Sequence, residues 1–285
     1  MTVTGRFAPS PTGPLHQGSL VAAVGSWLFA RAAGGRWLVR VEDLDRPRVV
    51  AGAESEILGA LERYGLDWDG EVVRQSERIA LYEEALVELR SGGHLFDCAC
   101  SRAELQRAAS APAASDPSER IYPGSCRAGL PAGREARAVR FRAPDRVIRF
   151  DDRVVETVEE NVAAATGDFV VKRADGVFAY QLAVVVDDAA QGVTQVVRGA
   201  DLLSSTARQI ALQEALGYAQ PEYAHLPVVL APDGSKLGKR DGALPLPSLD
   251  ERRVRESLAG ALAHLGLAAT TLEEALVQFM KKERP

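Results

Sequence analysis

The sequence predicts an α/β fold: a parallel, nucleotide-binding sheet split by an inserted module and followed by a short helical tail. Three observations predict it. Strand and helix patterns alternate through the first hundred residues, the arrangement that builds a parallel sheet with ligands at its carboxyl edge. From Ala138 to Asp168 the alternation gives way to short, highly charged, strand-like runs such as RAVRFRAPDRVIRFDDRV. The α/β pattern then resumes near Tyr180, and the chain closes on two helical periodicities. The expected division is residues 1–97 for the first half of the nucleotide-binding fold and 98–178 for the insertion. Residues 179–245 form the second half, and 246–285 a helical tail.

Taken in order, Val3–Ala8 (VTGRFA) reads as a short strand. Pro9, Pro11 and Pro14 then forbid regular structure and Gly13 supplies a turn. From Ser19, the apolar residues Leu20, Val21, Val24, Trp27, Leu28 and Ala32 recur at helical spacing up to Gly34-Gly35. Arg36–Glu42 (RWLVRVE) is a strand, and Glu54–Tyr64 a helix with Ile57, Leu58, Leu61 and Tyr64 on one face. A strand is expected near Val72-Val73, a helix over Ser76–Arg90 and a short strand over Leu95–Cys98. Ala108–Pro117 (AASAPAASDP) is of low complexity and reads as a loop. After the charged insertion come Tyr180–Val186, whose following Asp187 and Asp188 read as polar residues at a strand end, and Gln195–Val197. A helix over Ser204–Leu216 follows, with Asp201 as a candidate cap. A strand over Leu226–Leu230 and helices over Arg252–Leu265 and Leu272–Lys282 complete the chain.

The chain has 285 residues, 46% of them apolar, enough to bury cores of one large or two small domains. Its net charge of −5 excludes a globally basic nucleic-acid binder. Any RNA contact must come from local patches, and Arg252, Arg253, Arg255 and the terminal KKERP are candidates. No apolar run approaches a membrane span, and the N-terminus has no basic and apolar signal regions. A cytoplasmic protein with no membrane partner is expected.

Two blocks carry chemistry. In PSPTGPLHQGS, residues His16, Gly18 and Ser19 fall where a strand passes into a helix N-terminus. That end presents unpaired N–H groups and the positive end of the helix dipole to an anion. His16 adds a donor, and Gly18 lets a ligand approach the backbone. In SKLGKR (Ser235–Arg240), which follows the turn signal Pro232-Asp233-Gly234, residues Lys236, Lys239 and Arg240 cluster in a loop. Clustered cations on a loop can close on a triphosphate and stabilise charge on departing pyrophosphate.

All three cysteines, Cys98, Cys100 and Cys126, lie in one segment. For a cytoplasmic chain this favours a metal over a disulfide. Three thiolates leave a tetrahedral site one ligand short, with His94 the only histidine nearby. The spacing alone leaves both zinc and three free cysteines open.

The blocks together resemble a known family. HQGS is similar to the "HIGH" signature of class I aminoacyl-tRNA synthetases and KLGKR to their "KMSKS" loop. RFAPSPTGPLHQGS and RVEDLDRPR resemble the glutamyl branch. The resemblance covers roughly the first 245 residues and implies a Rossmann-like class I catalytic domain with a zinc-containing insertion. By the resemblance, Arg6, Arg198 and Tyr180 face a glutamate side chain, Glu42 holds its α-ammonium and Ser10 adds a hydroxyl contact. His16, Gly18 and Ser19 serve ATP phosphates, and Lys239 with Lys236 the pyrophosphate, with Mg²⁺ accompanying ATP. Ser19 stands where the general signature has its final histidine, and Gly238 where the loop usually has serine.

The short members of the branch, the glutamyl-queuosine tRNA(Asp) synthetases, carry Cys-x-Cys followed by Tyr-x-x-x-Cys. This maps to Cys98, Cys100, Tyr122 and Cys126 and implies a structural zinc site. Only residues 241–285 follow the signature loop, too few for an anticodon-binding region. The expected reaction is therefore ATP-dependent activation of L-glutamate and its transfer to queuosine in tRNA(Asp), by a monomer. A catalytic fragment charging a tRNA 3′ end, an adenylyltransferase for another small acid and a non-catalytic zinc-containing RNA-binding paralogue remain open.

Overall fold

The computed structural model describes residues 2–108, 121–230, 245–246 and 250–282. Along the chain run β1 (Thr4–Phe7), α1 (Gln17–Ala32), β2 (Arg36–Val41), α2 (Ala53–Arg63), β3 (Val73–Arg74), α3 (Ile79–Ser91) and β4 (Leu95–Cys98). Next come α4 (Arg102–Ala108), β5 (Ala138–Phe141), β6 (Val147–Asp152), β7 (Glu156–Asn161), α5 (Val162–Ala165) and β8 (Phe169–Lys172). The remainder is α6 (Tyr180–Ala190), β9 (Gln195–Gly199), α7 (Thr206–Ala215), β10 (Glu222–Leu226), α8 (Glu251–His264) and α9 (Leu272–Lys282).

β1, β2 and β3 form one parallel sheet, with Arg6 opposite Leu38. A second sheet has the order β7-β6-β10-β9. Within it β9 and β10 are parallel, and Arg198 and His225 are register partners. The Thr194 N–H donates to the Thr4 carbonyl at 2.9 Å, which sets β9 beside β1. The carboxyl ends of β1, β2, β9 and β10 thus share one edge. A third, antiparallel sheet, β4-β5-β8, follows the first α/β half.

Helix α1 explains the layering. Its residues Leu20, Val21, Val24, Leu28 and Ala30 are buried along with Ala23 and Trp27, so the helix is apolar all round and needs cover on every side. It packs on β1, β2 and β9 on one side and on α8 and α9 on the other. The terminal helices are therefore part of the core that holds the first half of the fold. A second core joins α3, α6 and α7 to the charged-strand region through Phe141, Ile148, Phe150, Phe169 and Val171.

Three expectations are corrected. Tyr180–Val186 is the start of helix α6, not a strand. Its valine run mimics a buried strand, but the element is sandwiched between α3 and α7 and buries Gln181 through Asp188 without a break. The strand expected over Leu226–Leu230 is β10, Glu222–Leu226. Pro227 lacks the N–H that would continue the ladder, so pairing stops there. Asp201 does not cap α7; it lies in a 3-10 turn over Ala200–Ser205, and Ser205 takes the N-cap position. The charged strands also divide: β6 and β7 extend the sheet of β9 and β10, whereas β5 and β8 pair with β4.

The turn between α1 and β2 is tight. A Cβ on Gly35 would lie 2.4 Å from the Val3 carbonyl oxygen, which itself accepts from the Arg36 N–H. Gly35→Ala is therefore expected to destabilise by about 1–3 kcal/mol through displaced backbone. Thermal unfolding checks this, and a Tm equal to the parent's would refute the contact.

Candidate active site

The chain between β1 and α1 turns back over the sheet edge and enters α1 at His16, the N-cap. His16 is extended there, and its Nδ1 accepts the Ser19 N–H at 3.2 Å. With Nδ1 an acceptor, the neutral ring carries its proton on Nε2 and can donate outward. The Leu246 N–H donates to the Leu15 carbonyl at 2.9 Å, so the segment after the basic loop returns to this turn.

A cavity of about 410 Å³ opens at the edge shared by β1, β2 and β9. Arg6, Ser10, His16, Gly18, Ser19, Glu42, Tyr180 and Arg198 all line it. Residues far apart in sequence are thus brought together: β1 supplies Arg6, the residue after β2 supplies Glu42, α6 supplies Tyr180 and β9 supplies Arg198. Lys236 and Lys239, with Gly238 and Arg240, lie outside the described residues.

Arg6 is 3% exposed, so its charge needs a close counter-ion. Its Nε donates to both oxygens of Asp188, at 3.1 and 3.4 Å, and among the described residues this leaves the terminal nitrogens for the cavity that Arg6 lines. Asp188 also takes 2.7 Å contact from Arg40 Nη1. Arg40 in turn reaches Gln191 Oε1 at 2.8 Å and Glu42 Oε1 at 3.4 Å. Asp187 accepts from Arg78 Nε at 2.5 Å, Gln75 Nε2 at 2.8 Å and Tyr82 Oη at 2.8 Å. Burial opposes the Asp188 charge, but Arg6 and Arg40 outweigh it and hold the carboxyl below the ordinary range. For Glu42 burial dominates and pushes the pKa up, against the pull of Arg40 and Arg6. This network was not legible in the sequence. Its one local signal is the pair of adjacent aspartates ending an apolar run.

Arg198 is held differently. Its Nε donates to His225 Nε2 at 3.0 Å, Nη1 to Tyr180 Oη at 3.2 Å and Nη2 to Thr206 Oγ1 at 2.8 Å. Behind His225 stands Asp152, whose Oδ2 is 2.6 Å from Nδ1. Asp152 Oδ1 also accepts the N–H groups of Val154, Val155 and His225. Burial lowers the His225 pKa, with Arg198 acting in the same sense, despite the pull of Asp152. Asp152 has its own pKa depressed: burial opposes the charge, but His225 and the backbone donors prevail. Thr206, His225 and Asp152 were missed because nothing local in TARQ, EYAHL or FDDR marks them.

The three cysteines also meet. Their sulfurs lie within 4.8 Å of one another, and Cys100 Sγ is 3.8 Å from Cys126 Sγ. Tyr122 Oη is 3.6 Å from Cys98 Sγ and accepts the Cys126 N–H at 2.8 Å. Thiolates around one zinc would be about 3.8 Å apart, so the donor set fits that ion. Burial raises the Cys98 pKa, but a hydrogen bond from Arg140 and others outweigh it and the thiol falls below its ordinary value. Burial and the neighbouring sulfurs push Cys100 up to about 11.

The family model for the catalytic domain of class I tRNA synthetases (E and Q) matches residues 2–283. Curated relatives include the glutamyl-Q tRNA(Asp) synthetase of Geobacter sulfurreducens, 60% identical over 86% of this chain and 77% of its own. The protein of the same name from Thiobacillus denitrificans is 58% identical over 92% of this chain and 85% of its own. That of Pseudomonas aeruginosa is 51% identical over 95% and 90%. Among solved structures, a glutamate tRNA ligase from Elizabethkingia meningosepticum, crystallised with its amino acid, superposes with a TM-score of 0.80 at 28% identity. That match covers 97% of this chain and 64% of the ligase, so the chain spans just under two thirds of that protein's length.

Asp188→Asn keeps the shape but removes the anion between Arg6 and Arg40. Urea unfolding is expected to show a loss of roughly 3–5 kcal/mol, the scale for one lost partner of a buried pair. Because the native pKa of Asp188 is depressed, its contribution is complete above the ordinary value of 3.8 and is lost as pH falls through the native value. The parent should therefore lose more stability than the variant on acidification, and parallel acid limbs would refute the assignment.

Proposed function

The chain belongs to the class I (E and Q) tRNA synthetase catalytic-domain family, and from that premise we propose that it activates L-glutamate with ATP and transfers it to queuosine at the wobble position of tRNA(Asp). The observation that carries the reading is the convergence of Arg6, Arg198, Glu42 and the α1 N-terminus on one cavity. Two guanidiniums suit a side-chain carboxylate and leave an amide poorly matched. The names of the 51–60% identical relatives supply the acceptor.

In this reading Arg6, Arg198 and Tyr180 hold the γ-carboxylate, Glu42 the α-ammonium, and Ser10 adds a hydroxyl. One oxygen of the glutamate α-carboxylate attacks the α-phosphorus of ATP. The bond from that phosphorus to the bridging oxygen breaks and pyrophosphate leaves, giving glutamyl-adenylate. No base is required, because the carboxylate is already a nucleophile; the residues position groups and stabilise charge. His16 Nε2, Gly18 and Ser19 at the α1 N-terminus serve the phosphates. Lys236 and Lys239 stabilise the departing pyrophosphate, with Mg²⁺ bound to ATP. A hydroxyl of queuosine then attacks the acyl carbon and AMP leaves.

Cys98, Cys100, Tyr122 and Cys126 would hold a zinc ion. Four protein ligands leave no open position, so the ion would be structural and cross-link β4 to the segment around Tyr122. Metal analysis is expected to find one zinc per chain, lost in Cys98→Ser and in Cys126→Ser. A zinc-free parent purified without chelators would refute the site.

The activity test is label transfer from radioactive glutamate, with ATP, to tRNA from cells able or unable to make queuosine. Label on the queuosine-containing pool alone is the expected result. Equal label on both pools would overturn the acceptor assignment in favour of 3′-end charging.

A further inference from the structure

We infer that His225, fixed by Asp152, is the positioning residue that orients Arg198 and thereby sets selection of a side-chain carboxylate over an amide. The inference rests on the reading of Arg198 as a glutamate ligand and adds a residue pair that touches no substrate.

The argument is geometric. Arg198 and His225 are register partners on adjacent parallel strands, so both side chains leave the same face of the sheet. The guanidinium carries five N–H donors and cannot lose its proton. One from Nε goes to His225, one from Nη1 to Tyr180 and one from Nη2 to Thr206. One N–H then remains on each terminal nitrogen, and a pair of this kind is what a carboxylate takes bidentately. With Arg198 Nε directed at it, His225 Nε2 acts as an acceptor, and the Thr206 hydroxyl, 3.1 Å from the same nitrogen, donates to it as well. The ring proton must therefore sit on Nδ1, where Asp152 Oδ2 receives it at 2.6 Å. Asp152 is in turn locked by three backbone N–H groups. The charged groups facing the imidazole are Asp152 from β6, Arg198 from β9 and, at longer range, Arg6 from β1. His225 itself is wholly buried. An imidazole anchors Arg198 without cancelling its charge, so the full charge is left for the substrate. A carboxylate in its place would pair with Arg198 and compete.

Three variants separate this role from a merely structural one. In His225→Gln, the amide oxygen stands near the place of Nε2 and can accept from Arg198. In His225→Asn, the amide stands near Nδ1 and leaves Arg198 Nε without its acceptor. In Asp152→Asn, the amide oxygen keeps the backbone bonds while its NH₂ faces Nδ1. That drives the ring proton to Nε2, against the Arg198 donor. The readout is glutamate-dependent ATP–pyrophosphate exchange with KM and kcat determined separately, and with glutamine as competitor substrate. His225→Asn and Asp152→Asn are expected to raise the glutamate KM about 10- to 100-fold, the scale of a hydrogen bond to a charged group. The KM for ATP should be unchanged, and the preference for glutamate over glutamine should fall. His225→Gln should return the glutamate KM to within about threefold of the parent.

If all three variants keep the parent's glutamate KM and selectivity, or all three lose kcat and both KM values alike, the positioning role is overturned. If His225→Asn does not fold, Asp152→Asn against His225→Gln makes the same comparison. A parent that shows no glutamate-dependent exchange would overturn the functional reading itself. An active parent with indifferent variants would overturn only this inference.

Discussion

Two guanidiniums buried side by side at the edge of a parallel sheet are the constraint from which the rest of this structure follows. Arg6 on β1 and Arg198 on β9 are each at most 5% exposed, and β1 and β9 are neighbours through the Thr194–Thr4 hydrogen bond. Like charges so placed repel and lose their hydration. The fold answers with anions drawn from other elements. Helix α6 delivers Asp187 and Asp188 to the back of β1 and β2, and β6 delivers Asp152 to the end of β10. The positions of α6 and β6 are thus tied to the electrostatics of the cavity as well as to the apolar cores.

The two arginines are neutralised unequally, and the difference matters. Arg6, Arg40 and Arg78 are matched by Asp187, Asp188 and Glu42, whose contacts interlock. Among the described residues, Arg198 meets only neutral acceptors directly, with Asp152 one residue further back. The cavity therefore keeps positive potential at the β9 side and backbone donors at the α1 N-terminus. An amino acid with an anionic side chain and a triphosphate would each find one of these. Glu42 has its pKa raised by burial, and a substrate ammonium against it would restore the charge that burial opposes.

What the sequence showed and what it hid follow from the range of the interactions. The His16 turn, Gly18, Ser19 and the strands bearing Arg6 and Arg198 were legible, because turn chemistry and apolar periodicity are local. The cysteine cluster was legible as a cluster, since its members share one segment. The acids that hold the arginines were hidden: Asp188 is 182 positions from Arg6 and Asp152 is 73 from His225. In the valine run before Asp187 the two periodicities could not be told apart. The strand reading puts both aspartates at a strand end, whereas the helix turns them into the core. Pro227 was the available signal that β10 ends at Leu226, and the apolar run beyond it masked that signal.

The charged-strand region between the two halves of the fold is not a detachable appendage. β6 joins the sheet through the Tyr223–Asp152 register pair, and its last residue closes the chain from Asp152 through His225 to Arg198. The other end of the same region bears on the cysteines. Arg140 on β5 stacks 4.0 Å from the Tyr122 ring and donates to the Asp168 carbonyl. Asp168 Oδ1 accepts from both Arg127 and the Ala143 N–H. Gly167 lets Tyr122 approach, since a Cβ there would lie 3.1 Å from its backbone nitrogen. β7 and α5 lead from the Asp152 hairpin to Asp168 with no intervening loop longer than three residues. One continuous stretch of chain thus supports the arginine of the cavity at one end and the cysteine cluster at the other.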